Sequence, residues 1–158
     1  MKKPELVLPA GDLEKQKVAA LYGGDAVYMG GKKFSLRAFA GNFEPSAMAQ
    51  GISYLHELGK RAYITVNIIA HNRDLEILPP YLEELGNMRP DALIVSDPGV
   101  IRLARKYAPG IPLTLSTQAN VCNYETAAFY EELGISRLVL ARELNLDEIK
   151  TIRQNTSM

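Results

Sequence analysis

The feature that most constrains this chain is a repeat. Six short, nearly continuous apolar runs are separated by five longer segments whose apolar residues recur at helical spacing. The runs are Glu5 to Pro9, Ala26 to Met29, Ala62 to Ile68, Ala92 to Ser96, Leu113 to Thr117 and Leu138 to Ala141. Side chains of a strand alternate between two faces, so a run that is apolar at both parities is covered on both sides, as parallel strands under helices are. The segments between them carry Val18, Leu21 and Tyr22; Ile52, Leu55 and Leu58; Leu78, Leu82 and Leu85; Val100, Leu103 and Ala104; and Ala127, Phe129, Tyr130 and Leu133, each set a stripe on one helix face. Asp12, Asn123 and Asn145 stand where helix caps are needed, and Leu58-Gly59 and Leu133-Gly134 place a residue without a Cβ at helix ends.

Strands joined by helices lie parallel with right-handed crossovers, which leaves an open doubly wound sheet or a (β/α)₈ barrel. The turns choose between them. The first turn, Leu8-Pro9-Ala10-Gly11-Asp12, has one glycine and a proline and makes a poor phosphate cradle. Polar residues gather instead after nearly every run, which describes the mouth of a barrel whose ligand groups come from all strand ends. At roughly 25 residues per unit, six units use up the 158 residues, whereas a closed barrel takes about 250. The expectation is an α/β fold: a TIM-like (β/α) barrel, incomplete with about six βα units. Residues 1–158 are read as a single domain, a part of a larger barrel. The unpaired edges of such an arc predict self-association.

Composition narrows the partners. Eighteen Lys and Arg against eighteen Asp and Glu exclude nucleic-acid binding driven by overall basicity, while leaving room for a local patch. The single Cys122 cannot form an internal disulfide, which suits the cytoplasm. No apolar stretch is long enough for a bilayer, so no membrane partner is expected.

The strand-end residues are the candidate binding site. Asn67 closes the apolar run Tyr63-Ile64-Thr65-Val66-Asn67 and needs a ligand or a hydrogen-bond network, because an unpaired buried amide costs about 1–3 kcal/mol. Gln118 and Asn120 follow the fifth run and suit an amide, carboxylate or base edge; Asn120 could equally close a turn. Asp97 precedes Pro98-Gly99, as a site residue or as a helix cap. Arg142-Glu143 sets a cation and an anion after the sixth run, with Arg142 suited to carboxylate or phosphate, or to a salt bridge closing the loop. Tyr28 and Arg37 flank a long loop through Phe34, Phe39, Asn42 and Phe43. That loop is either an RNA-contacting lid, by charge and stacking, or a hydrophobic flap. His71 could act as an acid or base, but no residues have metal-ligand spacing and no metal site is expected. No G-x-S-x-G or H-E-x-x-H occurs and Cys122 has no evident His partner, so the catalytic residue is left unassigned.

Several segments carry a family resemblance: Pro4-Glu5-Leu6-Val7-Leu8-Pro9-Ala10-Gly11, Gly24-Asp25-Ala26-Val27-Tyr28, Ser35-Leu36-Arg37, Val66-Asn67 with Ala70-His71-Asn72, Pro90 through Gly99, Ser116-Thr117-Gln118-Ala119-Asn120 and Ala141-Arg142-Glu143-Leu144. Together they resemble the N-terminal half of the U32 peptidase family, in order and over essentially the whole chain. Ser35-Leu36-Arg37 and Ala70-His71-Asn72 are most similar to its tRNA-hydroxylating branch. The resemblance implies a barrel-like catalytic domain and, for the full-length protein, prephenate-dependent, oxygen-independent hydroxylation of wobble uridine, with tRNA and a small prephenate-like carboxylate as partners. Peptide-bond hydrolysis on a peptide substrate is the alternative that the family's collagenase-like classification implies; a non-catalytic binding or scaffold domain is a third. An iron–sulfur cluster, held by cysteines, is implied for the full-length protein. No cofactor is expected on residues 1–158, since one thiolate cannot replace the four ligands of such a cluster.

Overall fold

The computed structural model describes residues 3–36 and 41–158. Their elements run β1 (Val7–Pro9), α1 (Leu13–Leu21), β2 (Ala26–Gly30), α2 (Pro45–Glu57), β3 (Arg61–Val66), α3 (Asn72–Met88), β4 (Ala92–Val95), α4 (Pro98–Tyr107), β5 (Leu113–Leu115), a 3₁₀ turn (Thr117–Ala119), α5 (Tyr124–Glu132), β6 (Ile135–Leu138) and α6 (Leu146–Gln154). All neighbouring strands pair in parallel and their spatial order is their chain order, β1 to β6. A doubly wound sheet reverses order at a switch point; this one never does. It is an incomplete TIM-like barrel. Its register drifts as it goes, Arg61 facing Ala26 while Tyr63 faces Ala92, which is the stagger that curls a sheet into a barrel.

Local chemistry places the helices. Asp12, Asp97, Asn123 and Asn145 each accept a backbone N–H of the first turn of α1, α4, α5 and α6, satisfying donors that have no intrahelical partner. Gly59 and Gly134 follow α2 and α5 with φ of 65° and 85°, a conformation costly for any residue with a Cβ. The outer sheet face, through Val27, Met29, Ala62, Ile64, Val66, Leu93, Val95, Leu113 and Leu115, packs with Ile52, Leu55, Leu78, Leu82, Leu85 and Ile101 of the helices into one buried core. Each such aliphatic side chain contributes about 1.5–3 kcal/mol. The inner face forms a second, smaller cluster of Ala26, Tyr63 and Ala92 against Val7, Tyr28 and Ile94.

Polar groups finish the inner face at the amino ends of the strands. The Glu5 carboxylate accepts from Arg61 Nη1 (2.7 Å), the Tyr63 hydroxyl (2.7 Å) and Arg137 Nη1 (3.0 Å), and the Arg137 guanidinium lies 5.2 Å from the Tyr63 ring centroid. Glu5 precedes β1 and Arg137 lies on β6, so this carboxylate spans the open side of the arc.

Arg137 also explains a correction. The sixth strand, expected at Leu138 to Ala141, is Ile135–Leu138. Ser136 and Arg137 hid it, since an inward-facing arginine breaks the apolar run that marks a strand covered on both faces. Val139 and Ala141 still donate to Leu115 and Val121 carbonyls (2.9 and 3.2 Å), so the apolar stretch that mimicked the strand is its continuation into the mouth.

Candidate functional site

The carboxyl ends of β1, β2 and β3 enclose a cavity of about 200 Å³ lined by Pro9, Ala10, Gly11, Lys15, Tyr28, Met29, Gly30, Ser35, Gly41, Asn42 and Thr65. Thr65 points inward by the alternation of β3 and donates to Ser35 Oγ (2.9 Å), tying the loop after β2 to the strand. Gly30 is required there: a Cβ would lie 2.5 Å from Ser35 Oγ and 2.7 Å from Thr65 Oγ1. At the rim, Lys15 Nζ sits 2.6 Å from Asp12 Oδ2. The hydrogen bond from Lys15 holds the Asp12 carboxyl below its ordinary range, and Asp12 in turn raises Lys15.

Beside the cavity, a side-chain network joins β3, β4 and β5. Asn67 Nδ2 donates to Gln118 Oε1 (2.6 Å), which also accepts from Ser116 Oγ (3.2 Å). Ser96 Oγ donates to the Asn67 carbonyl (3.2 Å), and Leu36 N–H reaches Asn67 Oδ1 (3.5 Å). The amide at the end of an apolar strand thus has a network.

The other expected residues are distributed as follows. Tyr28 lines the cavity. Asp97 accepts the Val100 N–H (3.0 Å), so its carboxylate caps α4. Asn120 ends the 3₁₀ turn in a left-handed conformation (φ 53°), with its Oδ1 4.0 Å from Cys122 Sγ. His71 precedes α3 and donates its backbone N–H to Asp74 (2.8 Å), while its ring is exposed. Arg142 and Glu143 are both exposed, and among the described residues neither makes a salt bridge, so the salt bridge weighed as closing the loop does not form. Arg37 and Phe39 lie outside the described residues. The stacking role drawn for Phe34 and Phe43 is corrected. They are 7% and 3% exposed and belong to the core, Phe34 against Tyr81 with ring centroids 5.0 Å apart. Lys32 of the same loop is paired with Glu44.

Sequence reading missed Lys15, Ser35 and Thr65. Thr65 shares parity with Tyr63 and Asn67, which marks it as inward-facing; Lys15 carries no such signal, as a lysine in a first helical turn is ordinarily solvated. The described residues do not fit an iron–sulfur cluster: Cys122 is the one cysteine, and no group of three His, Cys, Asp or Glu side chains among them could hold a metal.

The family model of peptidase family U32 matches residues 11–158. The chain belongs to that family. Among U32-like relatives, the tRNA hydroxylation protein P of Haemophilus influenzae is 45% identical over 152 residues, covering 96% of this chain and 33% of that protein. The 23S rRNA 5-hydroxycytidine C2501 synthase of Escherichia coli is 39% identical over 152 residues, covering 96% of this chain and 23% of that protein. The chain therefore spans about a third or less of these relatives. The structure of the U32 peptidase Mk0906 superposes with a TM-score of 0.80 at 17% identity, over 100% of this chain and 69% of that one, and shares the fold. No helix among the described residues is long and apolar enough to cross a membrane.

Proposed function

We propose that this chain is the N-terminal barrel part of an RNA-modifying U32 protein that hydroxylates wobble uridine in tRNA with a prephenate-like carboxylate as co-substrate. The observation that carries the reading is the 45% identity to a tRNA hydroxylation protein along 96% of the chain. The mouth suits it. The 200 Å³ cavity carries the Lys15 ammonium, a cation of the kind that orients a small carboxylate, beside the Ser35–Thr65 hydroxyl pair. The amide network beside it, Asn67 with Gln118, is suited to a base edge. A barrel divides labour in this way because its strand ends converge on one rim. Tyr28 lines the cavity, while His71, Asp97, Asn120, Arg142 and Glu143 follow the carboxyl ends of strands β3 to β6 in the chain; Arg37, the remaining candidate, lies outside the described residues. An iron–sulfur cluster, if the full-length protein carries one, is held by residues outside this chain, and a reducing cytoplasm would suit it.

Deleting the full gene and measuring tRNA nucleosides tests the proposal. Loss of 5-hydroxyuridine, with no peptide cleavage by the purified full-length protein, is the expected result. Unchanged nucleosides overturn it. The second reading, peptide hydrolysis, draws on the family's name; a covalent acyl-enzyme trapped at the mouth would establish it. The described hydroxyls offer that reading little, since Thr65 and Ser35 bond to each other and no histidine adjoins them.

A further inference from the structure

We infer that Gln118 is the residue that reads the nucleobase, presenting a fixed hydrogen-bond donor that selects an oxygen acceptor at position 4 of a pyrimidine, as in uracil, over the amino group that cytosine carries there. The inference rests on the RNA-modification reading above and adds the base discrimination to it.

The argument follows the direction of the hydrogen bonds. A backbone N–H can only donate, so the Leu36 amide facing Asn67 Oδ1 (3.5 Å) fixes which end of the Asn67 amide is oxygen; turning it would set two donors against each other. Asn67 must then offer its Nδ2, and the 2.6 Å contact requires an acceptor, Gln118 Oε1. Ser116 Oγ donates to the same oxygen (3.2 Å). With Oε1 engaged twice, the Gln118 amino group is turned away from the network, and its hydrogens meet no acceptor among the described residues. It is a donor directed by three preceding groups. Its backbone is held as well: Ala119 and Asn120 N–H close the 3₁₀ turn onto Ser116 and Thr117 carbonyls (both 3.0 Å), and Thr117 Oγ1 is anchored on the Leu140 carbonyl (3.3 Å).

A donor held in this way discriminates. Uracil presents a carbonyl where cytosine presents an amine, and two donors face to face leave both unpaired. Position 4 adjoins carbon 5, the atom that the proposed reaction hydroxylates, so gripping the first places the second. The same donor could serve a carboxylate oxygen. The base is favoured because Gln118 is neutral, whereas the ammonium at this mouth, Lys15, lines the separate cavity at the ends of β1 to β3.

The test compares binding of two anticodon stem–loop RNAs, identical except for uridine or cytidine at the wobble position, by fluorescence anisotropy, with prephenate titrated separately. The chain is expected to prefer the uridine RNA by about tenfold, a typical gain from one well-placed base contact. Gln118→Glu, which turns the donor into an acceptor, should reverse the order, and Gln118→Ala should level it. Asn67→Asp is the sharper variant. Aspartate can only accept, so Gln118 must turn its amino group inward and its oxygen outward, and the preference should again move toward cytidine although Gln118 is untouched. Circular dichroism melts confirm that each variant folds. A uridine preference that survives both Gln118→Glu and Asn67→Asp overturns the inference alone, as does a loss confined to prephenate binding. Failure of the parent chain to bind either RNA overturns the RNA reading together with it.

Discussion

At the scale of single residues, one tight constraint lies buried between α1 and α2. Gln16 of α1 is fully buried and donates Nε2 to the Gly51 carbonyl of α2 (2.6 Å), while its Oε1 has no partner. Gly51 makes the contact possible, because a Cβ there would fall on the Gln16 amide, 2.9 Å from Nε2. Gly51→Ala is therefore expected to destabilise by about 1–3 kcal/mol through overpacking, and urea unfolding would read it. Gln16→Leu should cost less, within about 1 kcal/mol, because it loses one hydrogen bond but also removes an unsatisfied oxygen. If the two variants ranked in the opposite order, the hydrogen bond would dominate the packing. Polar residues at the mouth were legible for the same reason that Gln16 was not. Asn67 and Gln118 interrupt or follow apolar runs at strand ends, where polarity is conspicuous, whereas Gln16 sits among helix residues of mixed character and reveals nothing until α2 closes over it.

At the scale of elements, five strands lay where continuous apolar runs placed them, because those strands are covered on both faces and hydrophobicity alone marks them. β6 was displaced by three residues, Ile135–Leu138 against the expected Leu138 to Ala141. Its inward residue serves a salt bridge instead of a packed layer, and no local pattern announces a partner 132 positions away. The caps were legible because they act over three residues; the loop partners Ser35 and Thr65, 30 positions apart, were not. Removing the β6 tether should loosen that strand selectively. Arg137→Ala is expected to cost about 1 kcal/mol, modest because the guanidinium is partly solvated. It should also speed hydrogen exchange at the Val139 amide, bonded to Leu115, more than at β2 or β3 amides. Uniform acceleration across the sheet would show that Arg137 supports global stability and not β6.

For the molecule as a whole, the sheet has two ends. β1 and β6 are each paired on one side, and their outward backbone groups are templates for another strand. The 158-residue chain is expected to self-associate as its concentration rises, and light scattering coupled to size-exclusion chromatography would show the mass increase. A constant monomer mass would mean that the brevity of both edges, three residues in β1 and four in β6, suffices to blunt them. The fold class was legible from repeat and length together, since the count of βα units is a property of the whole sequence.

One consequence follows from Glu5. A single carboxylate, gripping Arg61 on β3 and Arg137 on β6 at 2.7 and 3.0 Å, acts as a bowstring drawn between the horns of a crescent. Its reach sets how far apart those horns stand. The curvature of the wall is thus fixed by a chord at the floor, and whatever completes the ring arrives at a doorway already cut to width.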